Sequence, residues 1–302
     1  MRKFPVVYMR GGTSKGCLFH REDLPEDSKE WDEIFLQVMG NPDPKQMDGM
    51  GGTVSSNNKI VIIWKSALPN VDIEYLVGQV IVGKKQVDYK SNCGNMTAAV
   101  PAYAVEEGMV PIVEPVTTVR MFNKNTDKYI NVTVPIDPRT HTFAQEGDCH
   151  IAGIDGTAAE LKVNFLDPAG AKTGKLLPTG KALDVLEIDG RKIEATILDV
   201  SNPLVLVRAE DVGLQGTELP AQVDADKEAS ALLEKIRGAA AVKMGFARIW
   251  KMPQPIPRRC PKWASSRHRF PIRILPGTGW MPARWICAPG SSRCSSATKP
   301  AP

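Results

Sequence analysis

The strongest constraint on the fold is a run of ten residues, 96–105, that joins helix-like character to small and apolar side chains. A helix without a polar stripe has no face for water, so we expect this one to be buried. Small residues also pack closely, which suits a helix held tightly inside a sheet. The run follows Asn92-Cys-Gly-Asn95 and ends near Gly108 and Pro111. The sequence therefore predicts a buried helix enclosed by strands.

Strand-like and helix-like runs alternate with glycine-rich loops on both sides of this segment. Apolar residues at i, i+3, i+4 and i+7 from Trp31 end at Gly40 and predict an amphipathic helix. Further runs predict strands at 4–9, 59–64, 73–77, 79–82, 117–123, 129–135, 191–198 and 204–208, and a helix at 225–240. A length of 302 residues favours two domains, and we expect them at 1–114 and 115–250.

The net charge of +4 averages two dissimilar stretches. Residues 251–302 hold ten Lys and Arg, no Asp or Glu, and ten of the 24 prolines, whereas residues 1–250 hold 28 basic against 34 acidic residues. An acidic body argues against nucleic-acid binding outside the tail. No run approaches the roughly 20 apolar residues of a membrane span, and we expect no signal sequence, because the apolar run near the N-terminus is too short for one. We therefore expect a cytoplasmic protein whose six cysteines are thiols.

Three features carry candidate chemistry. Cys93 lies where a strand pattern gives way to the small-residue helix, and N–H groups at a helix start favour a thiolate and attract anions; an inert buried thiol is the alternative. Lys59 begins an apolar β run, so it points either into water or into a site, where burial would make a neutral amine available as a base. The loop 11–16 does not match the phosphate-loop motif. Its backbone N–H groups could nevertheless form an anion-binding nest for a carboxylate, to which the Arg10 guanidinium could make two parallel hydrogen bonds.

The other cysteines and histidines of the body carry no such signal. Cys17 and Cys149 lack the setting of a helix start and are interpreted as inert. The histidines His20, His141 and His150 fall in polar loops without metal-ligand spacing, and we expect them to be solvated. The sequence therefore predicts no metal site.

Six motifs in a fixed order resemble the PrpF-like isomerases, whose members act on 2-methylaconitate, methylitaconate or oxalomesaconate. The resemblance spans residues 4 to about 248. The motifs are Met9-Arg-Gly-Gly-Thr-Ser-Lys-Gly16, Ser56-Asn-Asn-Lys59, Asn92-Cys-Gly-Asn95, Leu177-Pro-Thr-Gly180, Asp199-Val-Ser-Asn-Pro203 and Val242-Lys-Met-Gly245. The resemblance implies an α/β (α+β) fold of the diaminopimelate-epimerase type, in which two domains each wrap a sheet around a central helix and the active site lies between them.

The resemblance also implies roles for individual residues. Lys59 would be the catalytic base and Cys93 its partner across the substrate. The substrate-binding residues would be Arg10, Thr13, Ser14, Asn92, Gly94, Asn95 and Asn202. No cofactor and no metal are implied. One departure is Asn57-Asn-Lys59, where the family usually has a Thr-Ser-Lys-like tripeptide.

The implied reaction moves a double bond or a proton in a small unsaturated di- or tricarboxylate by acid–base catalysis through a dienolate. Two alternatives stay open. One is an amino-acid racemase or epimerase of the same fold, which the lack of a second cysteine at 199–203 disfavours. The other is a nucleic-acid-binding protein that uses the basic tail. The expected partner is the carboxylate substrate, with no nucleic acid and no membrane, and homo-oligomerisation stays open.

The tail at 251–302 lacks helical and strand periodicity, and the resemblance ends just before it. Disorder and an arm for nucleic acid or membranes are two interpretations. We favour a third, translation in a shifted frame, because reading back-translated codons one base earlier restores acidic residues from about position 249. On this account the tail is not natively folded and the second domain is truncated.

Overall fold

A computed structural model describes residues 3–90 and 92–246 and, for the backbone alone, 272–275. The chain divides into two compact units, of which the first runs to Asp167 and the second begins at Pro168. Among the described residues, no helix is long and apolar enough to cross a membrane.

The first unit is built on one curled sheet. Its strands are β1 (Val7–Gly11), β2 (Ser14–His20), β3 (Lys59–Lys65), β4 (Ile73–Val80), β5 (Val87–Asp88), β6 (Val116–Asn123), β7 (Lys128–Asp137), β8 (Thr142–Phe143) and β9 (Lys162–Phe165). The strand order is β1-β2-β3-β4-β6-β7-β8, with β5 added to β4 and β9 to β7. Most pairs are antiparallel, whereas β2 with β3 and β4 with β6 are parallel. Two helices, α1 (Trp31–Met39) and α2 (Gly94–Glu106), pack on this sheet.

Helix α2 is the buried helix that the composition predicts. Every residue from Met96 to Val105 is buried. The helix packs against alternate residues of the sheet, among them Leu18, Val61 and Tyr75. Strand residues of the opposite parity, such as Phe19 and Ile62, pack against α1 instead. The period of two in each strand therefore gives the sheet an α2 face and an α1 face.

The amphipathic helix predicted from Trp31 is also present, and it ends where the sequence indicates. Gly40 adopts the left-handed conformation at φ 77°, and the N–H of Asn41 donates to the carbonyl of Leu36 at 2.8 Å. This is a glycine-terminated helix end, in which the last carbonyls receive donors from the turn.

The second unit holds a smaller sheet. Strands β10 (Asp184–Ile188), β11 (Arg191–Val200) and β12 (Asn202–Arg208) are antiparallel neighbours. The short helix α3 (Pro220–Ala225) precedes α4 (Lys227–Lys243), whose Ile236 and Ala240 share a core with Ile197 and Val205. The predicted helix at 225–240 is thus present with slightly later bounds. Each unit combines a sheet with a helix packed on it.

Two features of the fold differ from the sequence analysis. The hairpin of β6 and β7 joins the first sheet, because β6 pairs with β4 at Ile73 and Met121, so the first unit continues past residue 114 to Asp167. The tail at 251–302 lies outside the described residues except for β13 (Ile272–Leu275), whose backbone pairs in parallel with β12. No strand was predicted there.

Candidate active site

Three polar side chains share the α2 face of the sheet at one end of the central strands. Ser14 begins β2, Lys59 begins β3 and Gln79 lies near the end of β4. Lys59 pairs with Gly16 on one side and with Gln79 on the other. Because side chains alternate along strands, Ser14 and Gly16 share a face with Lys59, Val61 and Gln79. The topology therefore gathers polar groups at the sheet end nearest the start of α2.

The glycine loop of the sequence is mostly strand. Gly11 pairs with Ser14 across the β1–β2 hairpin, which leaves only Gly12 and Thr13 in the turn. Gly12 has φ 51°, and a Cβ there would stand 2.4 Å from the Asn95 side-chain oxygen. A Cβ on Gly11 would stand 2.4 Å from the Asn95 carbonyl. These glycines therefore let the hairpin pack closely on the first turn of α2. Residues 11–16, which the sequence analysis treats as a loop, are strand except for Gly12 and Thr13.

Cys93 lies at the start of α2 and contacts the β1–β2 hairpin through Ser14. It is the N-cap residue of α2, and its side chain makes no capping hydrogen bond. Its Sγ lies 3.9 Å from Ser14 Oγ, and Ser14 is only 4% exposed. The side-chain amide of Asn95 donates to Thr13 Oγ1 at 2.9 Å and to Ser14 Oγ at 3.3 Å. The structure thus brings four predicted site residues, Thr13, Ser14, Cys93 and Asn95, into one cluster.

Lys59 is held by Gln79, a residue that sequence reasoning missed. The half-buried Lys59 donates from Nζ to Gln79 Oε1. The amide nitrogen of Gln79 faces three carbonyls, those of Ser55 at 3.2 Å, Asn58 at 3.1 Å and Val80 at 2.9 Å. These acceptors fix which end of the amide carries the oxygen, so Oε1 must face Lys59. In the sequence, Gln79 looks like an ordinary strand residue. Only the β3–β4 register, in which Gln79 pairs with Lys59, shows that it contacts the candidate base.

A second missed group lies beneath Cys93 and consists of Tyr75, Thr97 and Asn123, all buried. Asn123 donates from its side-chain amide to Tyr75 Oη at 2.7 Å and to Asn92 Oδ1 at 2.8 Å. Thr97 Oγ1 lies 2.9 Å from Tyr75 Oη and donates to the Cys93 carbonyl at 3.0 Å. Predicted site residue Asn92 is therefore tied into a buried polar network.

Three other predicted residues lie apart from the cluster or play a different part in it. Arg10 is exposed and donates to the Gly12 carbonyl at 2.7 Å. A Cβ on Gly94 would meet nothing within 4 Å, so open space lies beside the first residue of α2. Asn202 belongs to the second unit, where it pairs with Val200 across a turn whose single residue, Ser201, has φ 59°.

A cavity of about 540 Å³ lies beside the same hairpin, with Gly11 and Gly12 among its lining residues. It is lined by β1, by α2 residues such as Tyr103 and Glu106, and by the segment 143–161, and Arg10 borders it. Neither Lys59 nor Cys93 lines it. We place the candidate site at the residue cluster rather than at this cavity, because Cys93 belongs to the cluster and Lys59 begins the strand next to Ser14's strand on the same sheet face.

The remaining thiols and histidines match the sequence analysis only in part. Burial raises the pKa of Cys17 to about 12, which fits an inert thiol. His20, predicted to be solvated, instead ends β2 with its side chain 18% exposed. Its ring lies 5.3 Å from that of Tyr103, and its Nε2 lies 3.4 Å from Glu107. The prediction was wrong because His20 belongs to a strand whose end is covered by α2.

Comparison with known proteins identifies the family. The PrpF protein family matches residues 1–264. The chain belongs to the PrpF family. 3-Methylitaconate isomerase of Eubacterium barkeri is 40% identical over 249 residues, covering 82% of this chain and 65% of that protein. 2-Methyl-aconitate isomerase of Shewanella oneidensis is 41% identical over 261 residues, with the same two coverages, 82% and 65%.

A solved structure agrees with this assignment. The crystal structure of methylitaconate-delta-isomerase matches with a TM-score of 0.70 at 40% identity, covering 82% of this chain and 63% of that one. The PrpF family and the α/β fold class predicted from the sequence are thereby confirmed. The chain spans 65% of the length of the two curated relatives named above.

Proposed function

We propose that this chain is an isomerase that shifts a double bond or a proton in a small unsaturated di- or tricarboxylate. The observation that carries the proposal is the grouping of Cys93, Ser14 and Asn95 at the start of α2, with Lys59 on the same sheet face. An amine, a thiol, a hydroxyl and an amide supply a base, an acid and two carboxylate-binding groups. This set suits proton transfer next to a carboxylate.

The proposed chemistry is a proton shift with no net change in composition. Lys59 Nζ takes a proton from the carbon next to the unsaturated acid, and the electron pair of that C–H bond moves into a dienolate. The Cys93 thiol returns a proton to the far carbon, and the double bond takes its new place. Because the substrate loses one proton and gains one, the product is an isomer, and net transfer of a proton from Lys59 to Cys93 through solvent restores both groups for the next turnover.

The negative charge of the dienolate needs donors that are already oriented. The first N–H groups of a helix have no acceptor within it, and they carry partial positive charge. In α2 these groups belong to the residues that follow Cys93, and the Cys93 side chain does not cap them. Together with Thr13 and Ser14 they form a place for a substrate carboxylate beside the open space at Gly94.

The substrate class follows from the relatives, which are named for 3-methylitaconate, 2-methyl-aconitate and 4-oxalomesaconate. All three names describe unsaturated polycarboxylates. We propose a substrate of this class that binds without a cofactor. The racemase alternative is not favoured, because a two-thiol mechanism lacks its second cysteine in the Asp199–Pro203 turn.

Incubation of the purified protein with a panel of acids tests the function. Methylitaconate, 2-methylaconitate, oxalomesaconate, proline and 4-hydroxyproline are each followed by proton NMR in deuterium oxide. The proposal predicts isomerisation and loss of a substrate proton signal with at least one unsaturated acid and with neither amino acid. Exchange of the amino-acid α-proton alone would instead support the racemase.

The tail requires its own proposal, since nearly all of it lies outside the described residues. We propose that residues 251–302 are translated in a shifted frame, on the strength of their lack of acidic residues. Sequencing the DNA between the codons for Lys243 and Pro257 tests this. The proposal predicts that a one-base repair of the frame restores a longer, acidic chain with higher solubility and activity. An intact frame in this stretch of DNA would contradict the proposal.

A further inference from the structure

A buried chain of side-chain hydrogen bonds leads from the β6–β7 hairpin to the backbone of Cys93. Asn123 ends β6 and is fully buried, and its amide nitrogen contacts Tyr75 Oη at 2.7 Å. Tyr75 Oη contacts Thr97 Oγ1 at 2.9 Å, and Thr97 Oγ1 contacts the Cys93 carbonyl at 3.0 Å. Strands β4 and β6 and helix α2 each contribute one side chain to this hydrogen-bonded series.

The orientation of the Asn123 amide is fixed by the backbone. Its Oδ1 accepts from the N–H of Asn125 at 2.7 Å and of Thr126 at 3.2 Å. Because the oxygen is occupied by donors, the two amide hydrogens must point the other way. One goes to Tyr75 Oη and the other to Asn92 Oδ1. Asn123 therefore donates hydrogen bonds both to Tyr75 and to Asn92, the residue just before Cys93.

The direction of the remaining hydrogen bonds then follows, because each hydroxyl has one proton. A carbonyl oxygen only accepts, so the Thr97 hydroxyl must donate its proton to the Cys93 carbonyl. Thr97 Oγ1 must therefore accept from Tyr75, and Tyr75 Oη accepts from Asn123. In this series of hydrogen bonds, each side chain therefore donates toward Cys93. Hydrogen bonds aligned in one direction polarise and strengthen one another.

The tyrosine is suited to this place because it keeps its proton. Burial raises the pKa of Tyr75, although its hydrogen bonds with Thr97 and Asn123 act in the opposite direction. A phenol that stays protonated at all working pH values donates to Thr97 throughout. The Cys93 carbonyl also receives the N–H of Thr97 at 3.0 Å, so two donors on one residue hold it.

We propose that Tyr75, Thr97 and Asn123 are positioning residues that fix Cys93 at the start of α2 and so set the direction and reactivity of its thiol. The inference deepens the proposed function and rests on it for its kinetic part. Among the described residues, the one polar contact of Cys93 Sγ is with Ser14 Oγ at 3.9 Å, and the side chain also packs against the core around α2, so the backbone anchor helps to set where Sγ points. A misplacement of about 1 Å at a reacting group can lower a rate by about 100-fold.

The variants Tyr75→Phe, Thr97→Val and Thr97→Ser test the inference, with Tyr103→Phe as the matched control. Tyr103 is a buried tyrosine on the same helix and lies outside the hydrogen-bonded chain. Phe and Val keep the shape of the side chain and remove the hydroxyl. Ser keeps the hydroxyl and removes a methyl group, so it should restore whatever the hydroxyl supplies.

Two readouts follow. The first is the rate of Cys93 alkylation by iodoacetamide, measured by peptide mass spectrometry relative to Cys149, which needs no catalytic activity. The second is the split between kcat and KM. We expect Tyr75→Phe and Thr97→Val to change the alkylation rate at least threefold and to lower kcat about tenfold or more, with KM within twofold. We expect Thr97→Ser and Tyr103→Phe to behave as the wild type.

Each outcome bears on a stated claim. Wild-type alkylation and kcat in a folded Tyr75→Phe or Thr97→Val variant would overturn the inference, as would equal losses in Tyr103→Phe. If Tyr75→Phe fails to fold, the Thr97→Val and Thr97→Ser pair decides. If the wild type isomerises no acid, the proposed function fails, yet the alkylation rates still decide whether the hydroxyl chain positions Cys93.

Discussion

Replacing Gly16 with alanine should damage the candidate site and the fold together. Gly16 pairs with Lys59 across the parallel β2–β3 ladder. A Cβ at Gly16 would stand 2.1 Å from the Lys59 carbonyl oxygen, 2.6 Å from its carbonyl carbon and 2.7 Å from its Cβ. Non-bonded carbon atoms rest at about 3.5–4.0 Å, so the strands would have to separate by about 1 Å. Two of the three contacts are with backbone, which cannot rotate out of the way.

The magnitude follows from this overlap. Overpacking in a well-packed interior costs about 1–3 kcal/mol, and the β2–β3 spacing of about 4.8 Å is set by hydrogen bonds on both sides. We therefore expect Gly16→Ala to lower the free energy of unfolding by about 2–3 kcal/mol. Displacing Lys59 by about 1 Å should also lower kcat by about 100-fold in the fraction that stays folded.

Gly94→Ala is the matched control, because a Cβ there meets nothing within 4 Å. Alanine is favoured over glycine in a helix by up to about 1 kcal/mol, so stability should be equal or higher. If the open space holds the substrate carboxylate, kcat/KM should nevertheless fall at least tenfold. Urea unfolding followed by circular dichroism, together with steady-state kinetics, measures both. Wild-type stability and activity in Gly16→Ala would refute the packing argument at Lys59.

Three further predictions concern single side chains. Ser14→Ala should raise KM and leave kcat within about threefold if Ser14 only anchors a carboxylate, as steady-state kinetics will show. Gln79→Glu should move the low-pH limb of the rate profile to higher pH, because a carboxylate beside an amine base favours its charged form. Partial burial opposes ionisation of Asp72, but its hydrogen bonds with Arg120 and the charge of Arg120 outweigh burial and lower the pKa of Asp72. The stability that Asp72 contributes is therefore present above about pH 4 and lost below it, so urea unfolding of Asp72→Asn should depend less steeply on pH between about 5 and 3.

The sequence was most informative where one local pattern decides the structure. The small-residue composition at 96–105 predicts the burial of α2, and the apolar period from Trp31 with Gly40 predicts α1. In these segments, composition (in α2) or period (in α1) alone decides which side chains are buried. Lys59 and Cys93 were chosen as candidates because they lie at a strand start and a helix start, and their catalytic roles stay predictions.

The sequence was least informative where distant segments meet. Nothing local indicates that β3 pairs in parallel with β2, which brings Lys59 beside Gly16 across an intervening helix. Gln79 and Asn123 read as ordinary strand and turn residues, because their roles depend on partners 20 and 48 positions away. The end of the first unit at Asp167 was missed for the same reason, since the β6–β7 hairpin looks identical whether it starts a new sheet or extends an old one.

The most direct test of the account is solvent-deuterium incorporation by the wild type and by Lys59→Ala. The purified proteins are incubated with the acid that the wild type turns over, in deuterium oxide, and the methyl and methylene signals are followed by proton NMR. Acid–base groups contribute about 10²- to 10⁴-fold to a rate, so Lys59→Ala should lose nearly all exchange while keeping the wild-type fold. Deuterium incorporation by Lys59→Ala at the wild-type rate would contradict the assignment of Lys59 as the base.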